Sequence, residues 1–414
     1  MQITLHKGTK EIGGTCIEVR SNNQSLLLDI GQPLSAKSQP TDLSRLDFSA
    51  VLVSHSHQDH YGLIENVDPA VPIYMGALGR DFINATRLFL GKEPLRNNMQ
   101  TFSAWRPFML GDIKITPYLV DHSAADAYAF LLEAGGKRIF YSGDFRGHGN
   151  KQLLFDKMIA QPPGQIDVLL MEGTMLHRDN TAYPQESAVK EAIQEAIAGQ
   201  GNISFLISSS QNIDRIVSAY KACLKTGKIL VVDLYTAWIL ELAQKTSYHV
   251  PSLGCRWPQL KVLAMKRHND TLNQHPHVFA EFKAKAYRYR VTSQTLRDKP
   301  ADYLVLAKHS LVKFIRSFKT HGPVNILYSQ WRGYLEAERL KSYADRQFVA
   351  LQNDAAFSFS YPHTSGHATT ADLKLFAGAL QPKMLIPIHT EYPADYRKHF
   401  ANVRTFEDGN SVTI

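Results

Sequence analysis

The chain has 414 residues, of which 44% are hydrophobic and 20% are charged, which suits roughly two or three packed domains and excludes a disordered protein. Its three cysteines lie far apart in the sequence, which excludes a disulfide framework and a Cys-x-x-Cys metal site. The formal net charge of +8 favours a polyanionic partner.

The N-terminal residues predict a strand and no targeting signal. No long apolar segment follows a basic one near Met1, so we expect neither a signal peptide nor a transmembrane helix, and no membrane partner. The sparse cysteines fit a reducing compartment, and we expect a cytoplasmic protein.

Residues 1–174 are dominated by predicted strands. The polar segment 21–24 lies between apolar segments and predicts a hairpin turn. Gly135 and Gly136 lie between two further apolar segments and predict a second hairpin. Several of the predicted strands end beside a histidine or an aspartate.

A dense group of potential metal ligands follows the apolar segment 48–53. Four side chains within six residues can bind a metal, namely His55, His57, Asp59 and His60. Packing explains this density poorly, because a core histidine normally stands alone with one or two hydrogen bonds. Imidazole and carboxylate donors suit zinc or manganese, and His55 and His57 at a strand end can face one cation. Asp59 and His60 would serve a second cation, whereas the alternative is a histidine-rich loop without metal.

Three more potential ligands follow apolar segments elsewhere in the chain. They are His122, Asp144 and His389, each at the predicted end of a strand, where a rigid sheet fixes a side chain. Taken singly, each histidine could be a hydrogen-bonded interior residue, and Asp144 a turn residue or a helix cap. Together with segment 54–60 they supply six ligands and one bridging carboxylate, as two cations about 3.5–4 Å apart require. The sequence therefore predicts a hydrolase with two metal ions.

Residues 175–350 change to alternating helices and strands. Apolar residues with helical spacing lie at 189–197 and 213–224, and compact apolar segments lie at 203–207 and 229–232. This alternation predicts a βαβ unit with parallel strands.

Residues 351–414 return to the pattern of residues 1–174. The expected elements are a strand at 357–361, a helix near 370–380, a strand at 384–388 and a closing strand pair around 408–410. The simplest topology is one domain, formed by residues 1–174 and 351–414, that is interrupted by a second domain, residues 175–350.

Two features of residues 175–350 could contact nucleic acid. Basic residues outnumber acidic ones between Lys261 and Lys299, with tyrosines interleaved, which suits phosphates and stacked bases. The candidate contacts in this run are Lys283, Lys285, Arg288 and Arg290. Three serines before a predicted helix near Asn212 could bind a phosphate, namely Ser208, Ser209 and Ser210. The alternatives are a solvated basic face for the run and helix caps for the serines.

The order of these motifs resembles that of the metallo-β-lactamase superfamily. Asp29 after an apolar segment, segment 54–60, His122 and Asp144 occur in that superfamily's order. More narrowly, and over nearly its whole length, the chain resembles the β-CASP nucleases, especially ribonuclease J. This narrower match rests on three further motif residues, Glu172, His367 and His389. The resemblance implies an α/β fold, a metallo-β-lactamase αββα sandwich with an inserted β-CASP α/β domain.

The resemblance also implies a set of metal ligands. Two groups of three would each bind one metal: His55, His57 and His122 for the first, and Asp59, His60 and His389 for the second. Asp144 would bridge the two metals, and Asp29 would accept hydrogen bonds that orient the ligands. Zinc is the expected metal, with manganese as the alternative.

The activity that the resemblance implies is metal-dependent cleavage of RNA, by endonucleolytic cutting, 5′-to-3′ exonucleolysis or both. A metal-bound hydroxide would attack phosphorus, and the catalytic residues would be Asp59, His367 and Glu172. His367, held by Glu172, would protonate the departing alkoxide; the alternatives are a helix-capping histidine and a surface carboxylate. RNA is expected rather than DNA because a histidine at the position of His389 resembles the RNA-directed members.

Three other functions stay open: a DNA-directed β-CASP nuclease, a hydrolase of small thioesters, lactams or lactones, and a metal-free RNA-binding subunit. The insertion of about 175 residues argues against a small substrate, and the full set of ligands argues against the metal-free subunit.

Ribonuclease J proteins generally continue into a C-terminal domain that supports oligomers, whereas this chain ends at Ile414, so a homo-oligomer would form without that domain. The Glu172-Gly-Thr sequence also differs from the commoner serine-containing version of that motif.

Overall fold

The computed structural model describes residues 1–340 and 342–414, which form two compact units. The first unit comprises residues 1–84, 94–180 and 365–414, and the inserted unit comprises residues 85–93 and 181–364. Within the described residues, no helix combines the length and the apolar character needed to cross a membrane.

The first unit contains two β-sheets and four α-helices, numbered in order along the whole chain. Its strands are β1 (Gln2–Lys7), β2 (Cys16–Ser21), β3 (Gln24–Leu28), β4 (Ala50–Leu52), β5 (Ile73–Gly76), β6 (Met99–Phe102), β7 (Phe108–Leu110), β8 (Ile113–Val120), β9 (Ala127–Ala134), β10 (Lys137–Tyr141), β11 (Val168–Glu172), β19 (Met384–Ile388) and β20 (Asn410–Thr413). Its helices are α1 (Gln58–Tyr61), α2 (Ala77–Phe89), α3 (Gln152–Ala160) and α12 (Thr370–Leu380), and the last residues of α2, 85–89, belong to the inserted unit. One sheet has the strand order β20-β1-β2-β3-β4-β5-β6, and the other has the order β19-β11-β10-β9-β8-β7.

An apolar core lies between the two sheets of the first unit. Ile3 and Leu28 from one sheet meet Phe130, Leu170 and Ile388 from the other in a single buried cluster. The opposite face of the six-stranded sheet packs against α3 and α12, and that of the seven-stranded sheet packs against α1 and α2. The expected αββα sandwich is therefore confirmed, because both faces of each sheet are covered.

Both predicted hairpins are confirmed. β2 and β3 pair antiparallel across a turn that contains Asn22, and β9 and β10 pair antiparallel across Gly135 and Gly136. The φ angles of the two glycines are +54° and +73°, the left-handed conformation that a two-residue turn of type I′ requires.

The inserted unit is built on one parallel sheet. Its strands are β12 (Ser204–Ile207), β13 (Ile229–Asp233), β14 (Leu260–Leu263), β15 (Arg290–Val291), β16 (Tyr303–Ala307), β17 (Val324–Tyr328) and β18 (Phe357–Ser360), in the sheet order β15-β14-β13-β16-β12-β17-β18. Its helices are α4 (Glu186–Ile197), α5 (Ile213–Thr226), α6 (Leu234–Gln244), α7 (Lys266–Gln274), α8 (Pro276–Arg288), α9 (Ser293–Asp298), α10 (Val312–Arg316) and α11 (Tyr343–Val349). The βαβ prediction is confirmed by β12, α5 and β13, and β16 lies between the two strands and is parallel to both.

The boundaries between the units differ from the expected ones. β18 is the edge strand of the inserted sheet and pairs with β17, so the inserted unit ends at residue 364 rather than 350. A half-buried edge strand has the same alternating pattern in either sheet, which explains the error. At the other junction, Leu176 is buried in the core of the first unit, which extends to residue 180 rather than 174. The closing strand pair is also wrong, because the single strand β20 pairs with β1.

A buried ion pair joins α4 to α5 in the inserted unit. Nε of Arg215 lies 2.8 Å from Oε1 of Glu186, and Nη2 lies 3.2 Å from Oε2. Arg215→Ala should lower the free energy of unfolding by roughly 3–5 kcal/mol, because it removes the guanidinium from a buried carboxylate. The double variant Glu186→Gln/Arg215→Met, which removes both charges, should stay close to wild type in urea denaturation. Equal losses in the two variants would show that packing, rather than charge, stabilises this contact.

Candidate metal centre and active site

The predicted metal ligands follow the ends of four buried strands of the first unit. Segment 54–60 follows β4, His122 follows β8, Asp144 follows β10 and His389 follows β19. Buried strands hold their ends rigidly, so the side chains that follow them have fixed positions. The structure brings all seven predicted ligands together in overlapping groups whose ligand atoms lie within 4.8 Å of one another.

Three imidazoles form one side of this cluster. Nδ1 of His57 lies 3.0 Å from Nε2 of His55 and 3.2 Å from Nε2 of His122. Two nitrogens bound tetrahedrally to one zinc ion at 2.0–2.1 Å would lie about 3.3 Å apart. The three nitrogens therefore have the spacing of ligands that share one cation.

The other side of the cluster contains Asp59, His60 and His389, with Asp144 between the two sides. Nε2 of His389 lies 3.7 Å from Oδ2 of Asp59. Oδ2 of Asp144 lies 3.1 Å from Nε2 of His60 and 3.8 Å from Nε2 of both His55 and His389. Asp144 is thus within reach of both ligand groups, as a bridging carboxylate must be.

Several polar atoms that face this cluster are buried without a hydrogen-bond partner in the described part of the chain. They are Oδ1 of Asp144 and Nε2 of His389, together with Oδ2 of Asp144 and Nε2 of His60, which lie 3.1 Å apart but outside hydrogen-bond geometry. Leaving such atoms unsatisfied costs roughly 1–3 kcal/mol each, more when they are charged, and a bound cation removes this cost. The donor set of imidazole nitrogens and carboxylate oxygens fits a divalent metal, and the first unit carries a divalent-metal site.

Hydrogen bonds behind the cluster orient the ligand rings. Asp29 accepts from the backbone N–H and the hydroxyl of Ser54, and it lies 2.7 Å from Nδ1 of His60. The hydroxyl of Tyr141 also donates to Asp29. When Nδ1 of His60 donates to Asp29, Nε2 keeps a lone pair for a metal. Asp29 occupies the place that the sequence predicted, at the end of β3.

Burial keeps most of the clustered imidazoles neutral. Burial, reinforced by the neighbouring imidazoles, holds the pKa of His55 and His122 well below 6.5, and burial lowers the pKa of His57 to about 4. Burial also opposes the charged form of His60, but three neighbouring carboxylates outweigh it and raise the pKa of that ring. Neutral imidazole is the form that binds a metal, and the carboxylates around His60 favour a positive charge at this point.

His367 and Glu172 form a pair beside the cluster. Nδ1 of His367 lies 3.2 Å from Oε1 of Glu172 and 3.6 Å from Oδ2 of Asp144. Glu172 is fully buried at the end of β11, so it is not a surface carboxylate. Burial opposes the charged form of His367, but the Glu172 and Asp144 carboxylates outweigh burial and raise the pKa of His367 to about 8. The His367 side chain is 21% exposed, which leaves it accessible to a substrate.

The predicted nucleic-acid contacts of the basic run lie on α8 and at the start of β15, and they are Lys283, Lys285, Arg288 and Arg290. Arg288 and Arg290 are exposed, and the guanidinium of Arg290 lies 5.1 Å from the ring centre of Tyr287. Nζ of Lys285 lies 2.8 Å from both carboxylate oxygens of Glu241, so its charge is already balanced within the fold. Arg288 and Arg290 are therefore better placed than Lys285 to contact a phosphate.

The serine segment 208–210 leads into α5, but Asn212 rather than a serine caps that helix. The hydroxyl of Ser209 accepts from a backbone amide, and that of Ser210 accepts from Thr236. The hydroxyl of Ser208 is buried and has no hydrogen-bond partner among the described residues. The simple capping alternative does not account for Ser208.

Sequence reasoning missed the residues that hold the ligands from behind. Thr15 places its hydroxyl 2.9 Å from Nδ1 of His389, and Tyr141 contacts Asp29. Arg146 and Asp121 form a fully buried pair, with Nε 3.3 Å from Oδ1. A charged residue within two positions of a predicted ligand was a usable signal for Asp121 and Arg146, whereas no local pattern indicated Thr15.

Comparison with known families gives two matches along the chain. Residues 27–202 match the beta-lactamase superfamily domain, and residues 359–405 match the Zn-dependent metallo-hydrolase RNA specificity domain. The first match contains segment 54–60, and the second contains His367 and His389.

Several curated proteins and solved structures are similar to the chain. An RNase J-like protein of Methanocaldococcus jannaschii is 27% identical over 64% of this chain and 65% of its own length. Ribonuclease J of Helicobacter pylori strain B128 is 23% identical over 100% of this chain and 60% of its own length, so the chain spans less than two thirds of these relatives. A protein of unknown function from Enterococcus faecalis V583 shares the fold, with a TM-score of 0.76, 19% identity, and coverage of 100% of this chain and 99% of that chain. The chain therefore contains a domain of the beta-lactamase superfamily and is similar to ribonuclease J and RNase J-like proteins.

Proposed function

We propose that the protein is a metal-dependent phosphodiesterase that cleaves RNA in the cytoplasm, as an endonuclease, a 5′-to-3′ exonuclease or both. The proposal is carried by the cluster of seven ligands with the His367–Glu172 pair beside it. It is supported by the names of the relatives, ribonuclease J and RNase J-like protein, and by the matched RNA specificity domain. We assign two cations to the cluster, zinc in the first instance and manganese as the alternative.

The ligands would be divided between the two cations according to the two sides of the cluster. His55, His57 and His122 would hold one, Asp59, His60 and His389 would hold the other, and Asp144 would bridge them. Two such cations lower the pKa of a water molecule and stabilise negative charge on a phosphoryl group. The contribution of the chain is to hold the ligands rigidly on strand ends, so that little reorganisation is needed when the substrate reacts.

His367 is placed to supply the proton for the leaving oxygen. One water molecule is consumed: its oxygen bonds to phosphorus and one of its protons passes to solvent, while the bond from phosphorus to the ribose oxygen breaks. The departing oxygen takes a proton from His367, which recovers one from solvent. Because Nδ1 of His367 faces Glu172, Nε2 is the nitrogen left to donate. Glu172 orients the ring and favours its protonated form.

The test of this function compares three substrates under defined metal conditions. Labelled single-stranded RNA, DNA of the same sequence and a chromogenic lactam are incubated with the protein and zinc, manganese or EDTA. We expect RNA cleavage with metal, no cleavage with EDTA, and recovery when zinc or manganese is restored. Lactam turnover with intact RNA would favour a small-molecule hydrolase, and DNA cleavage with intact RNA would favour a DNA-directed nuclease. RNA binding with well under one metal per chain would indicate a binding subunit.

The exposed arginines of the inserted unit should contribute to RNA affinity. Arg288→Ala and Arg290→Ala should each weaken binding. Each should also make the slope of log K against log salt less negative, by about 0.7 for each single-strand phosphate that the removed arginine neutralises. Lys285→Ala is the matched control, because Glu241 already balances its charge. Fluorescence anisotropy of a labelled RNA in a series of KCl concentrations measures both quantities. Unchanged slopes in the arginine variants would remove this surface from the proposed RNA contacts.

A further inference from the structure

A buried arginine ties the segment that carries His367 to the strand end that carries Asp144. Arg146 follows Asp144 by two residues and is completely buried. Its Nη1 donates to the backbone carbonyl of Ser365 at 2.9 Å, and its Nε lies 3.3 Å from Oδ1 of Asp121. Since Ser365 lies two residues before His367, the guanidinium holds the backbone that presents the His367 ring.

The surroundings of Arg146 keep its guanidinium in one place. The second carboxylate oxygen of Asp121 accepts the backbone N–H of Gly149 at 2.8 Å. A Cβ atom on Gly149 would overlap Nε and Nη2 of Arg146, so only glycine allows this approach. A buried ion pair is often no more stabilising than apolar residues of the same volume. Stability alone therefore does not account for the pair, whereas a role in fixing the backbone does.

Three donors converge on two consecutive carbonyls of the segment. The carbonyl of Ser365 accepts from Arg146 and lies 3.1 Å from Nε2 of His148, and the carbonyl of Gly366 lies 2.5 Å from Nδ1 of His122. The contact between His122 and Gly366 also sets the ring that offers Nε2 to the metal cluster. His122 therefore keeps its own contact to Gly366, whereas Arg146 and His148 hold the carbonyl of Ser365, two residues before His367.

We propose that Arg146, held by Asp121, is a positioning residue that fixes residues 365–367 so that the proton of His367 meets the leaving oxygen. This inference rests on the proposed function, in which His367 donates that proton. Without the guanidinium the segment can shift, and a displacement of about 1 Å at a reacting group costs about 100-fold in rate.

A comparison of two leaving groups distinguishes a misplaced proton donor from a general loss of active-site structure. RNA cleavage expels a ribose alkoxide, which needs a proton, whereas bis(p-nitrophenyl) phosphate expels p-nitrophenolate, which leaves without one. Arg146→Lys should lower kcat for single-stranded RNA by about 100-fold and that for the nitrophenyl ester by less than about threefold, with KM for RNA and metal content unchanged. His367→Ala should show the same selectivity for the poor leaving group.

Two further variants keep the proposal testable if Arg146→Lys fails to fold. Asp121→Asn/Arg146→Met removes both buried charges and should show the same selective loss, and millimolar guanidinium should partly restore RNA cleavage by Arg146→Ala. Arg138→Ala is the matched control, because Arg138 pairs with Glu133 at the opposite end of β10, and both of its rates should be unchanged. An equal loss on the two substrates, or an unchanged RNA rate in the folded Arg146 variants, would overturn the positioning role. Wild-type protein that hydrolyses only the nitrophenyl ester would instead overturn the proposed function.

Discussion

Replacing Asp144 with alanine should abolish RNA cleavage and lower the metal content of the protein. Asp144 lies between the two ligand groups, with Oδ2 3.1 Å from Nε2 of His60 and 3.8 Å from Nε2 of His55. Removing a carboxylate that both groups share takes one ligand from each cation, so we expect the rate to fall by roughly 10³–10⁴-fold or more. Mass spectrometry of the zinc-loaded protein and cleavage of a labelled RNA measure the two losses.

Asp167→Ala provides a matched control for this experiment. Asp167 directly precedes β11, which pairs in parallel with β10, so it lies at the opposite end of this strand pair from Asp144. Its carboxylate contacts Nζ of Lys383 at 2.8 Å, and its removal should leave the metal content and the RNA cleavage rate unchanged. Full metal content together with full activity in Asp144→Ala would refute the bridging role.

The residues of the candidate metal site could be selected from the sequence because their signal is local. Each ligand stands just after an apolar strand, and the histidines of segment 54–60 are too close together in sequence to be explained by packing. Strands that end at the same edge of a sandwich bring the residues that follow them close together, whatever the packing of the core. The hairpins followed from apolar segments on either side of a turn, whereas the two-sheet sandwich was implied by the family resemblance.

The supporting hydrogen bonds could not be predicted in this way. Arg146 and Ser365 are 219 residues apart, and Thr15 and His389 are 374 residues apart, so their contacts exist only once the sandwich has formed. The edge strand β18 was assigned to the wrong unit for a related reason. Its alternating pattern shows that one face is buried, but it does not show against which sheet.

Replacing His367 with alanine should slow RNA cleavage by roughly 10²–10⁴-fold while the metal content stays at the wild-type level. Nδ1 of His367 faces Glu172, so the ring is committed to a carboxylate that orients it rather than to the metal cluster. Glu172→Gln should lower the rate in the same direction, because an amide no longer favours the protonated ring. Single-turnover cleavage of labelled RNA and metal analysis of the same samples distinguish loss of chemistry from loss of metal.

His6→Ala is a suitable control for His367→Ala. His6 also contacts a carboxylate, with Nε2 3.0 Å from Oε2 of Glu18, but it lies on β1 and is not part of the ligand cluster. Its removal should change neither rate nor metal content. His367 also lies close enough to His122 and Asp144 to bind a metal ion together with them. Metal binding by His367 is therefore the alternative that this experiment tests. If His367→Ala loses as much metal as Asp144→Ala, then His367 binds a cation and the proton for the leaving oxygen must come from another group.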